Sequence, residues 1–240
     1  MVATPPIARL APDGSRVTVT LPVEAGKVPW YGHTRFAGPA LVRPFDLAPA
    51  GQHHVIPRRL FPGARVETFR RTGFDLVLYE AADRSRSCLV YAGPHHEAVT
   101  YFGGPAPRRS MLNRLTSNLT FTDSPEGASL TPAAGIQQLN STVVGATPTM
   151  MIVIKSARGF RAELPSWQGA VRGDAEVWKE PLNLDPEQAE ALKGTPYEWR
   201  YIIANASTVI EVMFSKRPGE SLKSDAPEAV VAGLAAEWAE

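Results

Sequence analysis

Phe74-Asp75-Leu76-Val77-Leu78-Tyr79-Glu80, Arg86-Ser87-Cys88-Leu89-Val90-Tyr91-Ala92 and Glu97-Ala98-Val99-Thr100-Tyr101-Phe102 are three short apolar runs separated by turn residues. In the first, Phe74, Leu76 and Leu78 recur at every second position, the period of a half-buried strand. The connections, 81–84 and Gly93-Pro94, are short, so the runs are expected to be antiparallel neighbours. A further strand over 65–70 precedes them across Thr72-Gly73. After Pro107 the period changes. Met111, Leu112 and Leu115, extended by Leu119, fall on one helical stripe, with Arg108, Arg109, Asn113 and Arg114 opposite. A strand meander followed by a helix over 108–117 is the expected unit.

The same order recurs later in the chain. Strands are expected over 118–122 and 128–131 around the turn Asp123-Ser124-Pro125-Glu126-Gly127. The small and polar residues of 132–147 read as a connection. The run 150–154 is apolar at every position and is expected to be the most buried strand. Another strand is expected over 174–180. A short helix over 185–193 has Asp185 as N-cap, Pro186 at its first position, Gln188 completing a capping pair and Gly194 as its stop. A hairpin is expected over 197–214 around Asn205-Ala206-Ser207. Val230, Val231, Leu234, Ala235 and Trp238 then form one stripe of a C-terminal helix over 225–239.

These elements make an α+β chain dominated by antiparallel strands, with meanders each followed by a packing helix. Two similar subdomains, 1–123 and 124–240, follow from that order, although no internal repeat aligns. Within the first, a half-buried strand over 16–21 is followed by a proline-rich stretch, 22–63. Its seven prolines argue against long central strands, so it is read as edge strands and loops wrapped on a sheet.

Composition narrows the classes. The 240 residues, 44% hydrophobic and 20% charged, can bury a core without disulfides or metals. A formal net charge of +1 provides no global field for nucleic acid or an anionic membrane. The single cysteine, Cys88, excludes an intrachain disulfide and a thiolate metal cluster. Met1-Val2-Ala3-Thr4-Pro5-Pro6 lacks the basic and apolar regions of a signal peptide, and no run is long enough for a membrane helix. A soluble, cytoplasmic protein is therefore expected, with signal-independent export left open.

Candidate chemistry is sparse. His95-His96-Glu97 follows a turn and carries metal- or proton-binding groups. Adjacent side chains on extended backbone point opposite ways, so a solvated turn is the competing reading. His53-His54 has the same difficulty. Gly103-Gly104 and Arg108-Arg109 flank a helix start, which suits an anion. The spacing is neither a Walker A loop nor a dinucleotide fingerprint, and Pro105 and Pro107 remove donors. Cys88, mid-strand, reads as a small buried hydrophobe. Asp174 and Glu176 share one strand face, but glycosidase carboxylates usually come from separate elements. There is no G-x-S-x-G elbow.

The segment 29–61 mixes Trp30, Tyr31, Phe36 and Phe45 with Arg35, Arg43, Arg58 and Arg59, the residue types enriched at binding hot spots. The alternative is that its aromatics simply cover the sheet. The expected function is a non-catalytic protein-interaction module, such as an accessory, adaptor, immunity or assembly component. Its partner-binding residues would be Trp30, Tyr31, Phe36, Phe45, Arg58 and Arg59. The alternative is a small-molecule enzyme, a hydrolase or isomerase, with an anion or acid–base site at His95, His96, Arg108 and Arg109 in the region of the 103–109 loop. No cofactor or metal is expected. Nucleic acid is not expected either, since the arginines of 58–71 and 108–114 would have to converge on one face.

Overall fold

A computed structural model describes residues 4–39, 41–55, 59–215 and 226–239. The elements of the first half are β1 (Ile7–Leu10), β2 (Arg16–Thr20), β3 (Trp30–Ala37), β4 (Arg43–Pro49), β5 (Arg65–Arg70), β6 (Asp75–Glu80), β7 (Arg86–Ala92), β8 (His96–Gly103) and α1 (Arg109–Asn118). Next come β9 (Leu119–Ser124), β10 (Gly127–Pro132), β11 (Gln137–Thr147), β12 (Met150–Ser156), α2 (Ala157–Phe160), β13 (Ala170–Arg172) and β14 (Ala175–Pro181). The chain continues through α3 (Pro186–Leu192), β15 (Trp199–Ala204), β16 (Thr208–Phe214), α4 (Ala226–Gly233) and β17 (Ala235–Ala239). It is a β-dominated α+β protein with antiparallel sheets and four α-helices among the described residues. None of these helices is long and apolar enough to cross a membrane.

The chain divides into two compact units that interleave in sequence. One holds residues 10–15 and 31–141, the other 1–9, 16–30 and 142–240. The division does not fall near Asp123. That residue lies inside the antiparallel hairpin of β9 and β10, where Asp123 pairs with Ala128, and the hairpin keeps both sides in one unit.

In the unit built on 31–141, the sheet runs β3-β4-β8-β7-β6-β5. The four consecutive strands β5 to β8 pair antiparallel with their sequence neighbours. Both faces of this sheet are covered. On one, Phe36, Phe45, Leu47, Leu76, Leu78, Leu89 and Tyr91 pack against Leu112 and Leu115 of α1 and Leu119, Phe121 and Leu130 of the β9–β10 hairpin. On the other, Val77, Tyr79, Cys88, Val90 and Val99 pack with Phe61. A strand buried on both faces reads as a continuous apolar run. That strand is β7, buried without interruption from Ser87 to Tyr91, and not β12, where Met151 is exposed. In α1 the working stripe is Leu112 and Leu115, while Met111 lies in solvent.

Tyr91 sits among Phe45, Phe74 and Phe121 at ring-centroid distances of 6.0, 5.7 and 5.8 Å. Its buried hydroxyl makes no hydrogen bond, and burial pushes its ionisation well above the usual tyrosine range. An unsatisfied buried hydroxyl is a net cost. Tyr91→Phe is therefore expected to be neutral or to stabilise by up to about 1 kcal/mol in thermal denaturation. A loss larger than that would mean the hydroxyl has a partner.

The proline-rich stretch contains two full strands. β4 pairs with β3 from Arg43 to Leu47 and with β8 from Asp46 to Pro49. Pro44 and Pro49 thus fall where only one neighbour pairs, so the missing N–H disrupts no central ladder. The aromatics of this stretch turn inward. Trp30, Phe36 and Phe45 are buried, the latter two at 0% exposure, which removes all three from any partner surface. Apolar rings of this size contribute most when they leave water, and the sheet provides the room.

In the other unit the sheet runs β13-β14-β15-β16-β12-β11, again antiparallel. The expected connection over 132–147 is instead dominated by β11, eleven residues long. Its Gln-, Asn-, Ser- and Thr-rich first half hides the strand, and its buried residues, Thr142, Val143 and Gly145, come only after it. Gly145 is obligatory in size: a Cβ there would stand 2.7 Å from Val28 and 2.9 Å from the Trp30 ring. The helix over 185–193 is present as α3, with the Asp185 carboxylate accepting from the Gln188 N–H at 2.8 Å. The hairpin around Asn205 closes through the Asn205 side chain, which accepts from the N–H groups of Ser207 and Thr208.

The C-terminal helix does not extend over 225–239. Asp225 lies outside the described residues, α4 ends at Gly233, and β17 follows. A Cβ at position 233 would stand 2.7 Å from Pro22, so the close approach needs glycine there, a residue of poor helix propensity. The Arg172 guanidinium takes up the carbonyls of Val231 and Leu234. Beyond them the apolar residues also fit a period of two. Ala236 and Trp238 face inward, opposite Val19 and Val17 of β2.

Candidate functional site

Strand alternation sets the site. On β8, Glu97, Val99 and Tyr101 share a face, so the pattern that buries Val99 also buries Glu97. The Glu97 side chain is 1% exposed. Its partners come from the chain after β4. Gly51, at φ 92°, turns the backbone into a 3-10 turn over Gln52–His54. The Gly51 N–H donates to Glu97 Oε2 at 3.0 Å, and His53 Nδ1 meets the same oxygen at 2.6 Å. Glu97 Oε1 has no hydrogen-bond partner. The His53 side chain is itself only 8% exposed.

His53 is also a wall of a cleft of about 840 Å³. The covering segment contributes His54, Phe61, Pro62, Gly63 and Ala64. Val66 and Thr68 of β5 and Asp75, Val77 and Tyr79 of β6 form the sheet side. The His53 and His54 rings are 3.9 Å apart, and the Tyr79 ring lies 6.3 Å from His53. Cys88, on the same sheet face, is fully buried. Burial, reinforced by the charge of Glu97, pushes its thiol up to about 12, so it stays protonated and supplies no nucleophile.

The residues singled out from sequence fall elsewhere. His95 is exposed and its N–H donates to Asp123 Oδ2 at 2.8 Å, while His96 Nδ1 lies 3.1 Å from Asp123 Oδ1. Asp123 thus clamps this turn. Arg108 and Arg109 are exposed at the start of α1. His96 and Gly103 are the two ends of β8, about 23 Å apart at strand rise. The preceding loop is anchored at the far end too, where the Ala106 N–H donates to Glu80. The two histidines and two arginines therefore do not form one site. Of the partner residues, Tyr31 is half-buried, Arg59 is exposed and Arg58 lies outside the described residues.

The His53–Glu97 pair is hidden in the sequence because adjacent histidines read as extended backbone, whereas the chain forms a 3-10 turn there. A signal was available in β8. A lone carboxylate at an inward position of an apolar strand must find a donor. What the arrangement can do chemically is hold an imidazole rigidly at the edge of an open, mixed-polarity cleft. No protein-family model matches this chain, and neither does any curated protein or solved structure.

Proposed function

We propose that this protein is a non-catalytic interaction module that binds a partner protein through the exposed part of the 29–61 segment and the cleft beside it. The supporting observation is the open cleft, with the exposed Val66 on its wall and the exposed Val55, Arg59 and Leu60 in the segment that contributes His54 and Phe61 to it. Apolar side chains in water are unfavourable, and beside a concavity they suit a partner. β5 is also the last strand of its sheet, so its outer edge is open among the described residues to an added strand. We place the module in the cytoplasm, as an accessory, adaptor, immunity or assembly component.

The test is photo-crosslinking from a benzoylphenylalanine at position 66, with Leu60→Glu as the competitor variant. One protein crosslinked in stoichiometric yield, and lost with Leu60→Glu, is the expected result. An unchanged pattern in the variant would end this reading. A second reading, a small-molecule hydrolase or isomerase, is favoured by one observation, the short His53–Glu97 hydrogen bond at the cleft wall. It replaces the residues 95, 96, 108 and 109 as the centre of that alternative.

A further inference from the structure

The His53–Glu97 pair is expensive as mere scaffolding. A carboxylate has been withdrawn from water, one of its oxygens holds two partners and the other holds none. Apolar side chains at these positions would fill the same space without that penalty. What the pair provides is a ring with one nitrogen committed. Nδ1 belongs to Glu97, which fixes the orientation of the imidazole. Nε2 makes no hydrogen bond to a described residue, and the ring lines the cleft.

We propose that the cleft is a small-molecule site with His53 Nε2 as its polar anchor, and that its ligands are neutral, hydroxyl-bearing aromatic or alicyclic compounds. The hydroxyl follows from the two protonation states of the ring. A neutral imidazole that donates through Nδ1 offers a lone pair at Nε2, and an imidazolium offers an N–H. A hydroxyl meets either, because it both donates and accepts. An ammonium meets only the first and a carboxylate only the second. The apolar body follows from the walls. Phe61 and Pro62 of the covering segment and Val66 and Val77 of the sheet are apolar. Asp75, also on the wall, disfavours an anion. The volume is within the usual range of about 300–1,000 Å³ for small-molecule pockets. This site shares its cleft with the interaction reading but needs no protein partner.

The test compares 2-naphthol with 2-methylnaphthalene, which has the same body without the hydroxyl, by fluorescence titration of the full chain. Wild type is expected to bind 2-naphthol about tenfold more tightly, the effect of one added hydrogen bond of about 1 kcal/mol or a little more. In His53→Phe the ratio should fall to about one. In wild type the His53 Nε2 nitrogen resonance should shift on addition of 2-naphthol and not of 2-methylnaphthalene. That spectrum decides the matter even where the variant fails to fold. Equal affinities in wild type, a preference that survives in His53→Phe, or an unmoved Nε2 resonance would each overturn the proposal. Leu60→Glu is expected to keep the naphthol preference, which separates this site from partner capture.

Discussion

Phe45→Ala is expected to destabilise the protein by about 3–5 kcal/mol, measured by guanidinium denaturation. Phe45 is fully buried, on β4, with edge-to-face contacts to Phe36 at 5.8 Å and Tyr91 at 6.0 Å. Truncation removes the transfer free energy of the ring and leaves a cavity that cannot readily collapse. The Phe45 site is lined by strands already tied on both sides and by the rings around Tyr91. The aromatic contacts add about 0.5–1.5 kcal/mol each beyond burial. A residue serving only as a partner surface would behave oppositely, changing stability by less than about 0.5 kcal/mol while weakening association. A small stability change in Phe45→Ala would therefore overturn its assignment to the core.

His53→Ala is expected to lower stability by a comparable amount, about 3–5 kcal/mol, although it deletes a polar side chain from an irregular segment. The loss comes from what stays behind. Glu97, 1% exposed, would keep only the Gly51 N–H. An uncompensated buried charge costs far more than a lost hydrogen bond between neutral groups. The double variant His53→Leu, Glu97→Met separates the two effects in urea denaturation. With no charge left to strand, it should recover most of the loss. A double variant as unstable as His53→Ala would mean that His53 contributes through packing, and the electrostatic account would fail.

What the sequence made legible was local. Strands β5 to β8 announce themselves because they are compact runs, apolar in β6 to β8, separated by short turns. Asp185 before Pro186, and Asn205 between two apolar runs, specify a helix start and a hairpin within a few residues. What was illegible depended on distant partners. From Thr142 to Thr147, β11 is held as a strand by its pairing with β12, while the sequence of its first half, with Gln137 and Asn140, carries no strand pattern. The stripe of 230–238 fits both a helix and a strand, and Pro22 at Gly233 and β2 beyond it decide between them. Trp30, Phe36 and Phe45 look like a binding surface in a proline-rich stretch, and only the placement of the prolines at single-sided pairings lets that stretch enter the sheet. The site escaped for the same reason. His53 and Glu97 are 44 positions apart, and neither is part of a spaced motif.

The pairing of β2 with β17 sets a timetable for the ribosome. Val17 and Val19 emerge early, but their partners Trp238 and Ala236 are made about two hundred residues later. At about 5–20 residues per second, these apolar side chains wait roughly ten to forty seconds for their cover. The stretch 31–141, by contrast, is contiguous and can condense while the rest is still being translated. A nascent chain from which residues 1–160 have emerged should thus hold one finished unit and a strand β2 that has β1 but not yet β17 at its side. That strand is the segment for which a holding chaperone would have the most use.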